Sequence, residues 1–412
     1  MATPRSIVSH TGRLAATLFP KLDELAWNRQ RNAAVRALTA NADYAQMTSR
    51  LPTMNGGTQP SHVIVVPEEG PGFDSWRPGT RNFYYEAAQV IREDLGPDKV
   101  TIVGVEPGEP PAQWHERLIR AAVETRATHI LTHIENDPGS SQASWTWDAL
   151  WSQLSQRWDG VLLGVMFDSA YKEVRAKSRR IARISENYLV VDICMPMDGS
   201  MRRGRPEVGP VNMPVCRESL ALIDDHISAL PKLYDVSFIG ALYPYRVELL
   251  DALRARGVRV AVNPHRPDVT STFHESRANQ PSFIDYMAGL KQSHMTINFS
   301  RSSAGPYEQL KTRVLESALA GCLLLTDDKD RTRLFFSAED EYGYFASPDD
   351  IPDLVESYLS DPDRLTRAQQ SFERTAREFA FTGFWSTIDA CLERRGLQNV
   401  YPHEAAIGDM SS

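Results

Sequence analysis

From Ser61 onward, short apolar runs alternate with helix-length stretches: HVIVVPEE, a helix near 82–95, KVTIVGVE, a helix near 113–126, HILTHIEN, a helix near 145–157, and GVLLGVMFD. Such runs suit strands covered on both faces, and a parallel sheet with helices on each side provides that cover. A helix near 171–184, rich in Lys and Arg, and the run YLVVDICM extend the series. After a polar segment at 198–214 containing Gly and Pro, a second series opens at YDVSFIGA. It continues through a helix around 247–256, VRVAV, a helix around 282–292, MTINFS and CLLLT. This order predicts two doubly wound parallel α/β domains facing a cleft, at 61–225 and 232–380. Helices around 352–359 and 363–379 end the second domain. The last helix, 382–395 within the C-terminal segment 381–412, is expected to cross back onto the first domain.

Residues 1–60 read as an N-terminal helical extension, roughly 12–49, followed by the linker LPTMNGGTQP. Its basic residues Arg13, Lys21, Arg29, Arg31 and Arg36 are interrupted by Asp23 and Glu24, which favours packing on the body over a membrane-surface or oligomer contact. A length of 412 residues, 42% hydrophobic and 24% charged, supplies material for two cores of ordinary size. No run approaches the roughly 20 apolar residues of a membrane span, and no continuous signal-peptide core opens the chain, so a cytoplasmic location is expected, with peripheral membrane contact left open. Cys194, Cys216, Cys322 and Cys391 are scattered, which argues against disulfides and structural zinc. A formal charge of -8 argues against a nucleic-acid partner.

The stretch 305–328 carries the chemistry. Gly305-Pro306 suits a helix start and Gly321 a helix stop in the left-handed conformation. At about 100° per residue, Leu310, Val314, Leu315, Ala318 and Leu319 share one side of that helix, and Gln309, Thr312, Arg313 and Glu316 the other. The apolar side belongs on a sheet, of which CLLLT is the next strand. Ligands of such sheets bind beyond the carboxyl ends of the strands, where a carboxylate can hold ribose hydroxyls. The competing reading makes Arg313 and Glu316 a solvated helix face with a weak intrahelical pair.

The run QLKTRVLESALAGCLLLTD, the upstream YDVSFIGALYPYR, and then SHMTINFS, FSAEDEYGYFASPDDI and YLSDPDRLTRAQQ in the same order resemble the CgeB-type glycosyltransferases. The resemblance covers about residues 232–385, and the pattern Gln309, Arg313, Glu316, Gly321, Asp327 is its most specific part. It implies the GT-B fold: two Rossmann-like domains, the first holding an acceptor and the second a nucleoside diphosphate sugar. It implies Glu316 on the donor ribose. Glu308, eight residues earlier, stands at the spacing of a sugar-facing glutamate, although Gln309 is the more typical feature of this branch. Lys311 falls on the apolar side of the ideal wheel, awkward for a phosphate ligand unless the helix begins after Pro306.

Other donor-site candidates are Gly240, Arg246 and Arg301. Gly240 follows the strand DVSFI and lets backbone approach a diphosphate, or serves any sharp turn. Arg246 clamps phosphate oxygens or is an exposed helix-face arginine. Arg301 lies just past MTINFS, at a strand's carboxyl end. In the first domain Glu68, Glu69, His133, Glu135, Asp137, Asp168 and Asp192 stand at strand ends. An inverting transfer needs one as general base, and Asp168 is the leading choice, with a helix-capping role competing. His133 reads better as a packed strand residue, and Trp145, Trp147, Trp151 and Trp158 better as core than as a sugar platform. No acidic metal motif marks a strand end, so neither a metal nor a cofactor is expected beyond the nucleotide-sugar co-substrate. A nucleotide-sugar epimerase and a non-catalytic nucleotide-binding scaffold share these features. A dehydrogenase is disfavoured because no GxGxxG follows a strand.

Overall fold

The computed structural model describes residues 61–67, 70–106, 109, 111–133, 160–167, 187–193, 208–209, 211–240, 242–264, 282–301, 308–336 and 342–401, together with 29, 33, 36, 37, 39–49, 150, 151, 154 and 158. The apolar runs form two five-stranded sheets. The first contains β1 (Val63–Val66), β2 (Val100–Ile102), β3 (His129–His133), β4 (Val161–Met166) and β5 (Tyr188–Asp192), in the order β2-β1-β3-β4-β5. The second contains β6 (Tyr234–Phe238), β7 (Val260–Val262), β8 (Ser293–Ile297), β9 (Leu323–Thr326) and β10 (Gly343–Tyr344), in the order β10-β9-β8-β6-β7. Every pairing is parallel. Each sheet therefore repeats one winding, in which the second strand flanks the first and the third lies on the other side. Two parallel α/β domains of this kind are the layout that the GT-B resemblance implies.

Nine helices are named among the described residues: α1 (Ala42–Ser49), α2 (Phe83–Leu95), α3 (Pro111–Thr125), α4 (Arg217–Ile227), α5 (Pro244–Ala255), α6 (Phe283–Lys291), α7 (Arg313–Leu319), α8 (Ile351–Leu359) and α9 (Pro362–Arg394). α1, the described end of the N-terminal extension, packs on α3 and buries Tyr44 with its ring 5.9 Å from that of His115. Most of the rest of that extension, the linker, the helix near 171–184 and the tail from 402 lie outside the described residues. Within FSAEDEYGYFASPDDI lies a strand that the apolar runs do not announce: Gly343 and Tyr344 of β10 pair with Leu325 and Thr326. No helix among the described residues is long and apolar enough to cross a membrane.

Two helices tie the domains together. α4 begins at the first domain, where the Glu86 carboxylate on α2 accepts from the Cys216 N–H at 2.8 Å and the Ser219 hydroxyl at 2.6 Å. Burial raises the Glu86 carboxyl above its usual range, against those hydrogen bonds. Further along, Leu220, Ile223 and Ile227 of α4 enter the second-domain core with Met287 and Leu290. α9 is one continuous helix where the sequence suggests two, because neither a proline nor a cap interrupts FAFTGFW. Its 33 residues span about 50 Å at about 1.5 Å each. Leu365 to Ala380 pack on the second domain, and Phe384, Trp385, Ile388 and Leu392 on the first.

Candidate functional site

In the second sheet the winding reverses between β6 and β8, and an open α/β sheet leaves a crevice beyond the carboxyl ends of the strands at such a point. The turn after β6 contributes Gly240, at a φ of 139° that side chains rarely adopt. Its N–H donates to the Asn263 side-chain oxygen at 2.9 Å, so this amide is already used and does not face an anion. From the β8 side comes Arg313: a Cβ added to Gly240 would lie 3.6 Å from Arg313 Nη2. Two residues far apart in sequence thus meet at the crevice, and glycine leaves the guanidinium room.

The helix expected from Pro306 begins instead at Arg313. Arg301 and Glu308 form an isolated antiparallel bridge, the Gln309 N–H donates to the Ser300 carbonyl at 2.9 Å, and the Glu308 carboxylate accepts from the Ser300 hydroxyl at 2.5 Å. These bonds take backbone and side-chain groups that a helix would need for its first turn, and they hold 308–311 against the end of β8. The helical wheel therefore does not apply to 309–311. Gln309, expected on a wet face, is 4% exposed, and Lys311 is half-buried with Nζ donating to Gln309 Oε1 at 3.0 Å. Gly321 ends α7 at a φ of 60°, the left-handed stop that the sequence requires.

Two donors here lack acceptors. The Gln309 Nε2 amide and Arg313 Nε are buried without a hydrogen-bond partner, and no carboxylate meets the Arg313 guanidinium among the described residues. Burying a polar donor without a partner is costly, which makes this corner a place for an anion or a hydroxyl-bearing ligand. Glu316, one turn on from Arg313, is 6% exposed. Its Oε2 accepts from the Tyr286 hydroxyl at 2.7 Å, and its Oε1 pairs with Arg81 Nε at 2.8 Å. Burial and the adjacent Glu316 push the Tyr286 phenol well above its ordinary value. Sequence reasoning missed Tyr286, Arg81 and Asn263, since each is joined to the site only through space.

Arg246 is half-buried over the rings of Phe238, Tyr243, Tyr245 and Phe299, its carbon 4.6 to 5.4 Å from their centroids, and its Nε donates to the Tyr245 hydroxyl at 2.9 Å. Phe238 links it to the loop, because the same ring lies 3.9 Å from a Cβ added to Gly240. Arg301 is exposed at the β8 end. In the first domain, Asp168 lies outside the described residues, as do Glu68, Glu69, Glu135, Asp137, Trp145 and Trp147. Asp192 is fully buried, and His133, 6% exposed, packs between the Tyr84 and Phe167 rings. Trp151 and Trp158 are core residues, the latter donating to the Ala127 carbonyl at 2.8 Å.

Beyond β9, Asp330 is fully buried. Its Oδ1 accepts from the Thr332 N–H at 3.1 Å and hydroxyl at 2.6 Å, while Oδ2 is buried with no partner. Burial raises its carboxyl to about 6; the Thr332 bonds oppose the rise, and Asp327 and Asp328 add to it. A folded-state value above the unfolded one of about 3.9 means that ionising Asp330 disfavours the fold. Its favourable contribution is complete below pH ~4 and is lost as pH rises through 6. Asp330→Asn keeps the Oδ1 acceptor and removes the charge. Urea denaturation should show a gain of about 1–2 kcal/mol at pH 8 and little at pH 4, since a tenfold change in an acid constant between the unfolded and folded chain is worth about 1.4 kcal/mol and relaxation around the ionised carboxylate takes up part of the rise. An equal effect at both values would refute the buried charge as its cause.

Residues 246–384 match the family model described as Glycosyl transferase-like. The match includes Arg301, Glu308, Gln309, Lys311, Arg313 and Glu316, and leaves out Gly240 and the first domain. No curated protein matches the chain significantly. Among solved structures, Anabaena Alr3699/HepE in complex with UDP-glucose is similar over 81% of this chain and 99% of its own, at 9% identity and a TM-score of 0.45. An alpha-glucosyltransferase in complex with UDP-glucose and abasic DNA is similar over 82% and 98%, at 11% and 0.49. The trehalose 6-phosphate synthase of Burkholderia multivorans is similar over 82% and 99%, at 10% and 0.45.

Proposed function

We propose that this chain is a glycosyltransferase of the CgeB-type branch that moves a sugar from a nucleoside diphosphate sugar to an acceptor held by the first domain. The observation that carries the reading is the corner where Glu316, the acceptor-less Arg313 guanidinium and the Gly240 turn converge, in the crevice of the second sheet. The glycosyl transferase-like match over 246–384 supports it. In this reading Glu316 takes the ribose hydroxyls, and Arg313 faces the diphosphate with Gln309, Lys311 and Arg301 nearby. Fixed positive charge at the leaving diphosphate stabilises the charge that develops as the glycosidic bond breaks. Arg246 contributes through the aromatic surface that holds it, Glu308 stands toward the sugar, and Asp168 is the proposed base. Neither a metal nor a further cofactor is assigned a role, and the acceptor is a glycan, protein or small molecule.

Thermal stabilisation by UDP, GDP, dTDP, CDP and NAD, measured with and without EDTA, tests this. A ligand at a hundred times its Kd adds about 2.7 kcal/mol of apparent stability. One diphosphate should stabilise the wild-type protein in EDTA, and Glu316→Ala should lose that response while its own melting stays cooperative. Silence across the panel, or an unchanged response in Glu316→Ala, would sink the assignment.

A further inference from the structure

Glu316 belongs to the second domain, yet one of the groups holding its carboxylate comes from the first. Arg81 lies in the long connection between β1 and α2, at the cleft-facing carboxyl end of the first sheet, one residue before Asn82, whose side chain caps α2. Its Nε pairs with Glu316 Oε1 at 2.8 Å, its Nη2 donates to the Thr312 hydroxyl beside Arg313, and its guanidinium lies 5.8 Å from the Tyr286 ring centroid. We propose that Arg81 is an interdomain gate on the nucleotide site: it holds the carboxylate that a ribose needs, and it withdraws when nucleotide binds. The inference rests on the nucleotide reading of Glu316.

Several observations favour a gate over a passive tie. The two donors to Glu316 differ in freedom, because Tyr286 comes from the same domain by way of α6, whereas the Arg81 side chain comes from the other domain and is 42% exposed. A ligand hydroxyl can therefore replace Arg81 without opening the second-domain core. The backbone is also set for this placement: Arg81 has a φ of 61°, unusual for a residue with a long side chain. The surrounding connection holds it there. The Thr80 hydroxyl donates to the Ser75 and Arg77 carbonyls, and the Gly79 N–H donates to the Ser219 hydroxyl of α4, the helix that joins the domains. Finally, Arg81 contacts both Glu316, in the proposed ribose position, and Thr312, the neighbour of Arg313 at the proposed diphosphate position. Withdrawal of one side chain exposes both at once, and connects the relative position of the domains to occupancy of the site.

The test uses the full chain and titration calorimetry with UDP, GDP, dTDP and CDP. Arg81→Gly removes the side chain and suits the left-handed backbone, so it should fold, and Arg81→Asn is a second variant that tolerates the same φ. The gate predicts that both variants bind the preferred nucleotide about 5- to 10-fold more tightly than wild type. The gain should vanish when Glu316→Ala is added, because the freed carboxylate is its source. Unchanged or weaker binding in both Arg81 variants, with Glu316→Ala still weakening the wild-type protein, would overturn the gate and leave the nucleotide reading standing. Absence of binding by wild type and both Arg81 variants to all four nucleotides would overturn the nucleotide reading and the gate with it.

Discussion

Arg313→Ala should bind its nucleoside diphosphate about 30- to 150-fold more weakly than wild type while unfolding at nearly the same urea concentration. The two halves of that result have one cause. Among the described residues the guanidinium meets no acceptor, and its Nε is buried without a partner, so truncation breaks no protein hydrogen bond and removes a desolvated donor. The folded state loses little. A phosphate, by contrast, would receive charge-assisted hydrogen bonds from this planar fork, and losing about 2–3 kcal/mol of them corresponds to the stated factor. Arg313→Lys should recover only part, since an ammonium is a point charge and cannot donate two parallel bonds. Calorimetric titration of both variants with the stabilising nucleotide decides the matter. An Arg313→Ala Kd within twofold of wild type would remove Arg313 from the diphosphate, and a large stability loss would mean that its role lies in the fold.

The strands are legible in the sequence because an apolar run bounded by turn residues has few uses other than a covered strand, and nine of the ten strands lie within such runs. The tenth, β10, has only two residues inside an acidic stretch, too few for any periodicity to register. Glu316 and Arg313 are legible as chemistry because a glutamate and an arginine share the polar stripe of a helix whose other side is apolar. The same reasoning misplaces Gln309, because it runs the periodicity back to Pro306, whereas the helix begins at Arg313 and Glu308 bridges Arg301; that later start is the condition under which the sequence allows Lys311 as a phosphate ligand. Local pattern carries no information about such a bridge. Nor can it reveal that both oxygens of Glu316 are held, since Tyr286 and Arg81 reach it from another helix and another domain. For Arg246 the sequence offers a phosphate clamp or a surface residue, and its place among four rings shows an anchoring that neither alternative contains.

The same limit applies to the link between the domains, where a second large effect is expected. Trp385 lies on the part of α9 that has crossed to the first domain and is fully buried; its ring packs edge-on against Phe384 with centroids 5.0 Å apart, and Phe384 in turn meets Phe83 of α2. Its indole N–H donates to the Ala87 carbonyl at 3.2 Å, which adds a directional bond to the apolar burial. Trp385→Ala removes a large ring from a closed core whose neighbours come from a strand layer and two helices, so the space cannot fully collapse. The expected loss is about 3–5 kcal/mol in urea denaturation. Because α9 also closes the second-domain core through Phe372 and Ala376, the loss should spread to that domain, and urea unfolding should remain a single transition. A loss below about 1 kcal/mol would mean that the crossing helix is not held by this ring. A second, separate transition for the second domain would mean that this domain folds without the crossing half of the helix.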